Sequence, residues 1–242
     1  MILNQAENIM LGSTEVQRVY LGSELIWERR KYDSTKIALV TLDANYQETS
    51  EVQYFDDLSY NNWSALVTVL RANTDVFYKM IVGDDSSGLS GRSFVNCTRL
   101  YSAELGKPVS ALPANCFEGC QNLTEIQWSE NLKSMGTAAL YGCSSLTAVT
   151  LPDGMTGLAK SLFNNCTRLA QVILPESVTS IGEYAFNRCY ALKSITIPAN
   201  VTTIYSNAFL YCSGITITIQ KAENSISGSP WSASNATIIW TE

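Results

Sequence analysis

The chain has 242 residues, no histidine and a formal net charge of −6. It is long enough to bury a sizeable core, and its acidic balance argues against a nucleic-acid partner, which needs a basic face. Lack of histidine removes Ser-His-Asp and Cys-His catalysis, histidine-based zinc sites and the usual general base near neutral pH.

The N-terminal residues MILNQAENIMLGS have no positive n-region and no long apolar run, so no secretory signal is read there. No apolar stretch approaches the roughly 20 residues that span a bilayer. With Met1 taken as the natural start, the chain is expected to be made in the cytosol and not exported by the general route.

Residues 1–31 read as a small β module. Leu-Gly-Ser occurs at 11–13 and again at 21–23. Val16, Val19, Tyr20 and Leu21 precede the second Gly-Ser, and Leu25, Ile26 and Trp27 follow it, the pattern of a hairpin. Such a hairpin is marginal alone and needs a surface to pack on. Arg29, Arg30 and Lys31 read as a solvated linker.

Residues 32–76 read as a cap. Lys36–Leu42 and Glu51–Phe55 are predicted strands around the polar turn DANYQETS. Asn61 and Asn62 offer an N-cap for a helix in which Trp63, Leu66, Val67 and Leu70 share one face. That helix is expected to cover the open end of a stack of coils beginning at residue 77.

From residue 77 to 219 the chain repeats. Cysteines stand at 97, 120, 143, 166, 189 and 212, every gap being 23. Phe94, Phe117, Leu140, Phe163, Phe186 and Phe209 lie three before them; Leu100, Leu123, Leu146, Leu169, Leu192 and Ile215 lie three after. Such a period signals a solenoid whose coils stack on their neighbours. Phe77, Met80 and Val82 fit the phase opposite Leu100, Ala103 and Leu105, which starts the stack half a coil early. Asp84 to Gly88 (DDSSG) fits no calcium motif and reads as a solvated turn.

Within each coil a strand is expected from three to eight residues after the cysteine, as in LTEIQW (123–128), LTAVTL (146–151), LAQVIL (169–174) and LKSITI (192–197). Pro152, Pro175 and Pro198 end three of them. A second apolar pair follows on the return path, such as Val178 with Ile181. Strands joined by a full coil run parallel, and the in-phase cysteines form a column of small buried residues rather than disulfides. Cys116 is out of phase but aligns with Ala139, Ala185 and Ala208.

The run Leu192–Cys212, L-K-S-I-T-I-P-A-N-V-T-T-I-Y-S-N-A-F-L-Y-C, and the copy before it resemble the leucine-rich repeat of the BspA, or Treponema, type. The resemblance covers residues 77–219. It implies a right-handed leucine-rich repeat solenoid, with a parallel β-sheet on the concave face and short strands or 3-10 turns on the other side. To this the β-hairpin module, the helical N-cap and a β C-cap are added. The phase weakens at both ends: Ala103 replaces a central aliphatic residue, and ITITI (215–219) slips by one. Residues 220–242 read as the C-terminal cap, with a Ser-Gly-Ser-Pro turn (227–230), Trp231 as a plug and a last strand over 236–240. Residues 9–27, with V-Y-L-G-S-x-L-I-W, are similar to short N-terminal segments of bacteriophage tail and minor structural proteins.

By phase the outward strand face carries Ser102, Glu104, Glu125, Gln127, Ala148, Thr150, Gln171, Ile173, Ser194 and Thr196, with Tyr101 and Lys193 beside it. Solenoids bind along this face. Here it is small, polar and short of the Trp, Tyr and Arg anchors of a protein hot spot. Glu104 and Glu125, read as equivalent on adjacent rungs, could stand side by side as a glycosidase-like pair, but two exposed glutamates are more often only surface. No catalytic residue, metal or cofactor is expected. Six Asn-x-Ser/Thr sequons, at Asn62, Asn96, Asn122, Asn165, Asn200 and Asn235, read as incidental.

Two functions are expected. The first is a non-enzymatic phage-tail or particle component, attached to other structural subunits through residues 1–31 and presenting the repeats to a protein or glycan on a host or particle surface. Its place would be the virion or, after synthesis, the cytoplasm. The alternative is a BspA-type cell-surface adhesin for host matrix protein or glycan, whose signal or anchor would lie outside this chain.

Overall fold

Twenty-three residues bring the chain once round a coil, and the elements repeat accordingly. The computed structural model describes residues 10–11, 14–15, 18–21, 24–28, 33, 35–55, 60–72, 75–84, 89, 93–223, 225–227 and 230–241. The readings of Arg29–Lys31, of residues 85–88 and of the side chains before residue 33 fall outside them.

Two antiparallel pairs open the chain: β1 (Met10–Leu11) with β2 (Thr14–Glu15), and β3 (Arg18–Leu21) with β4 (Glu24–Glu28). The second is the hairpin expected around Gly22-Ser23. Next come β5 (Ile37–Leu42) and β6 (Glu48–Phe55), also antiparallel and joined by a tight turn. In that turn the Asp43 carboxylate accepts the amides of Asn45 and Gln47 at 2.8 and 2.9 Å, which fixes the turn locally.

Helix α1 (Tyr60–Arg71) follows. It starts ahead of the expected cap, so Asn61 and Asn62 lie inside its first turn. The expected apolar stripe is confirmed: Leu66, Val67 and Leu70 are buried, and Trp63 packs beside them against the core. At the helix end the Leu70 carbonyl accepts the Arg99 amide at 2.9 Å, and Arg71 Nε donates to the Val95 carbonyl at 2.7 Å. The helix thereby satisfies the first turn of the stack, where a preceding coil would otherwise sit.

The strands β7 (Phe77–Val82), β8 (Leu100–Leu105), β10 (Glu125–Gln127), β12 (Ala148–Thr150), β14 (Gln171–Ile173), β16 (Ser194–Ile197), β18 (Thr216–Ile219) and β19 (Thr237–Trp240) form one side of the coils. Between them run the return strands β9 (Ala111–Leu112), β11 (Ser134–Met135), β13 (Gly157–Leu158), β15 (Ser180–Ile181) and β17 (Thr203–Ile204). All pairings among these repeat strands are parallel. Strand β5 adds antiparallel to β7, so cap and first coils share one sheet, in the order β10-β8-β7-β5-β6.

The register departs from the expected phase at the start of the stack. Met80 and Val82 do face Ala103 and Leu105, but Leu100 faces Tyr78 rather than Phe77, because the ladder shifts between Tyr78 and Lys79. At the far end Ser194 pairs with Thr216, 22 residues on, the slip expected at ITITI. The central strands are also shorter than expected, and their ladder is interrupted between β10 and β12 and between β14 and β16.

Inside, Phe94, Phe117, Phe163, Phe186 and Phe209 are fully buried. Rings 163 and 186 stack at 5.5 Å and rings 186 and 209 at 5.3 Å. Leu140 breaks this column, and Trp231 ends it, its ring 6.5 Å from Phe209. All seven cysteines are free and buried. The turn holding them is laddered from coil to coil, for example Phe117 N to Ala139 O at 2.8 Å and Phe163 N to Ala185 O at 2.8 Å. One turn position is left-handed in every copy: Asn96, Gly119, Gly142, Asn165, Arg188 and Tyr211 have φ of 57, 71, 71, 63, 59 and 65°. Asn and Gly suit that conformation and Arg and Tyr do not.

Candidate functional site

Because side chains alternate along a strand, the residues between the buried columns point outward, and neighbouring coils set them side by side. The register places Glu125 opposite Ser102 and Gln127 opposite Glu104. Ala148 and Thr150 stand opposite Gln171 and Ile173. Glu125, Gln127, Ala148, Thr150, Gln171, Ile173, Lys193, Ser194 and Thr196 are all exposed, Ile173 by 50%.

Two expectations are corrected here. Glu104 and Glu125 are diagonal, not opposite, since 23 residues separate Ser102, not Glu104, from Glu125. Ser102 is buried, at 6% exposure, although it points outward. Lys79 faces it across the ladder, and the Lys79 ammonium sits 2.9 Å from the Glu48 carboxylate and 3.0 Å from that of Glu104. Burial works to lower the Lys79 pKa, but the hydrogen bonds to both carboxylates outweigh it and raise the value. Glu104 is therefore held in an ion pair with Lys79, away from Glu125.

The outward face changes character over the cap strands. Ala38, Val40 and Ile81 lie on it in register with Glu104 and Ser102, yet they are buried and form a second apolar cluster with Val52. The unbroken run Ile37-Ala38-Leu39-Val40 was the signal, because a strand covered on both faces loses its polar alternation.

Tyr101 does not stand alone beside the face. Its ring stacks on Tyr46 at 4.3 Å with an interplanar angle of 10°, and Phe77 meets Tyr46 edge-on at 5.5 Å. Arg99 lies over the Phe77 ring at 5.3 Å. Tyr46 is 44% exposed and has φ +60°, held by the Asp43 turn. Sequence reasoning missed it; an aromatic residue inside an otherwise polar turn was the available clue.

The interruptions in the strand ladder open two shallow depressions on the outward face. One, of about 460 Å³, is lined by Glu125, Gln127, Trp128, Ala148, Thr150 and Pro152 among others. The Trp128 indole donates to the Thr150 carbonyl at 2.7 Å and so bridges that interruption. The other, of about 370 Å³, is lined by Gln171, Ile173, Ser194, Thr196, Thr218 and Gln220 among others. Amides, hydroxyls, the exposed carboxylates of Glu125 and Glu176 and the exposed Ile173 side chain can hydrogen-bond and pack a ligand. The nucleophiles point the other way: burial pushes the Cys97, Cys166 and Cys212 thiols up to about 12. Among the described residues no cluster of His, Cys, Asp and Glu could hold a metal ion, and no helix is long and apolar enough to cross a membrane.

With this geometry in place, the match to known proteins is direct. The family model of the BspA type leucine rich repeat region matches residues 88–227 in six copies. The chain belongs to this family. Among solved structures, it is similar to a leucine rich cell surface protein of Faecalibacterium prausnitzii at 34% identity, over 57% of this chain and 36% of that one, with a TM-score of 0.49. A leucine rich repeat protein of T. pallidum matches at 21% identity, over 68% of this chain and 78% of that one, with a TM-score of 0.53, and shows the same fold. The pneumococcal vaccine antigen PcpA matches at 16% identity, over 68% of this chain and 41% of that one, with a TM-score of 0.43. The chain thus spans about a third of the Faecalibacterium protein and less than half of PcpA. No curated protein is significantly similar to it. These matches lend nothing to the bacteriophage resemblance of residues 9–27.

Proposed function

We propose that this BspA-type chain is a non-enzymatic recognition module of a bacterial surface adhesin. Its outward strand face, from Glu125 to Thr196, takes up a protein or glycan of a host surface. The observation that supports this reading is the run of small polar side chains over consecutive coils, opened by two depressions and exposed at Gln127, Gln171, Ile173 and Thr196. The Tyr46–Tyr101 stack adds a flat aromatic rim at one end, suited to a sugar ring or an aliphatic side chain. The phage-tail reading rests on a short segment whose side chains lie outside the described residues, and it takes second place.

Binding of the purified chain to arrayed glycans and immobilised extracellular-matrix glycoproteins tests the proposal. A ligand retained by the wild type and lost by Gln127→Arg/Ile173→Arg, with the thermal midpoint unchanged, is the expected result. Equal binding by both proteins overturns the assignment of the face.

A further inference from the structure

The two ends of the stack are finished differently. At the N-terminal end, α1 buries Leu66 and Leu70, and the edge strand β6 carries Glu48 and Glu51. Charges of this kind protect a sheet edge from pairing with another chain. At the other end the parallel sheet β16-β18-β19 stops at β19, and among the described residues nothing pairs with its far side. Strand β19 itself carries no charged residue. No charged residue occurs from Asn224 to Thr241, and no proline lies in the strand.

The side chains of β19 are also unfinished. Ile238 and Trp240 stand opposite Ile217 and Ile219 and point into the same column. The pair in β18 is fully buried; the pair in β19 is only partly buried. Ile239, on the outward side, is 42% exposed. The last rung therefore keeps apolar surface in contact with solvent, as a solenoid end does when another surface completes it.

The backbone says which groups are free. The amides of Thr237 and Thr241 donate to Ile215 and Ile219 of the preceding coil at 2.9 and 2.8 Å. In a parallel pair the bonded groups alternate along the strand, so the N–H and C=O of Ile238 and Trp240 face the open edge.

We propose that β19 pairs antiparallel with β19 of a second copy of this chain, about a two-fold axis passing through Ile239. Centred there, Ile238 lies opposite the partner's Trp240, and such a pair exchanges both N–H···O=C bonds. Both residues have their free groups on that edge, so the pairing is satisfied without any shift of register. The same arrangement sets isoleucine against tryptophan across the strands on the inner side, a stabilising cross-strand pair. It covers the half-exposed rung of each copy with that of the other. A two-fold contact uses one surface twice, and this surface brings no like charges together although each chain carries a net charge of −6. A charged or proline-containing partner strand would fit the edge less well. The dimer extends the repeat sheet through the junction and points the two N-terminal caps away from each other.

The test is the mass in solution as a function of concentration, by sedimentation equilibrium. The full chain is expected to move from 26.6 kDa towards twice that mass. Ile239→Lys places two like charges directly opposite each other on the axis, and it is expected to weaken dimerisation by about tenfold or more. Ile239→Thr, the residue at the matching position of β18, is expected to retain the dimer. The Ile238 and Trp240 amides are expected to exchange more slowly as the dimer fills. A chain that stays monomeric, a dimer that Ile239→Lys leaves untouched, or exchange at 238 and 240 that is indifferent to concentration each overturns the proposal. So does a monomer that takes an extended peptide on β19 instead.

Discussion

The Cys189 thiol donates to the Phe163 carbonyl at 3.2 Å. That carbonyl already accepts the Cys166 amide at 3.1 Å, so the thiol adds a second donor from the next coil. The same bond recurs from Cys120 to Phe94, Cys143 to Phe117, Cys166 to Leu140 and Cys212 to Phe186. The cysteine column is therefore a set of links between successive coils as well as a run of small core residues. Alanine would fill the space but make no such link.

This column makes stability depend on alkaline pH. Burial raises the folded thiol pKa, to about 12 at Cys166, above an ordinary value of 9.0. Above about 9 the unfolded chain releases thiol protons that the folded chain retains, so the native state binds more protons and stability falls as pH rises. The contribution is fully present below pH 9.0 and is lost progressively towards about 12. The expected slope is about 1.4 kcal/mol per thiol per pH unit. Urea unfolding at stepped pH checks this, and Cys189→Ala should give a shallower slope than the wild type.

The aromatic column is fully buried. Phe186 lies between Phe163 and Phe209, with ring centroids 5.5 and 5.3 Å away. Phe186→Ala opens a cavity between two rings whose backbones are held by the coil ladder and cannot close on it. The expected loss is about 3–5 kcal/mol, read from chemical denaturation.

The helical cap has its own fastening. Arg71 Nε reaches the Val95 carbonyl at 2.7 Å from the last turn of α1. Arg71→Met keeps the stem and removes the bond. Because the side chain is exposed, the expected loss is only about 1 kcal/mol. Amide exchange should rise in α1 and at Arg99 while the later coils keep their protection.

Backbone handedness offers a gain. Ala138 has φ +56° at a turn position filled by Asn115 and Asn207 in other coils. A left-handed alanine costs roughly 1 kcal/mol that glycine does not. Ala138→Gly is therefore expected to raise the unfolding midpoint slightly, although glycine inside regular structure normally lowers it.

The repeat was legible because one residue type recurs per coil. Cys, Phe and Leu at a 23-residue spacing can lie in columns only if each coil closes in the same way. Features that lack a period were harder to read. The burial of Ser102 depends on Lys79 and Glu48, which are distant in sequence and meet only through the cap strands. The Tyr46–Tyr101 stack joins the β5–β6 turn to β8, four elements later in the chain. The interruptions between β10 and β12 and between β14 and β16 fall inside a regular repeat, and periodicity does not report them. The doubly buried β5 was visible as an unbroken apolar run, but that run does not show what each face meets.

The central claim is that recognition belongs to the outward strand face and not to the opposite turns. It is tested most directly by measuring equilibrium binding of one host-surface ligand to two matched variants. Gln127→Arg/Ile173→Arg alters the exposed strand face; Tyr205→Ser/Tyr211→Ser alters exposed tyrosines away from those strands. The account predicts that the first variant loses binding at unchanged stability and the second retains wild-type affinity. Loss in the tyrosine variant with full binding by the strand-face variant would contradict it.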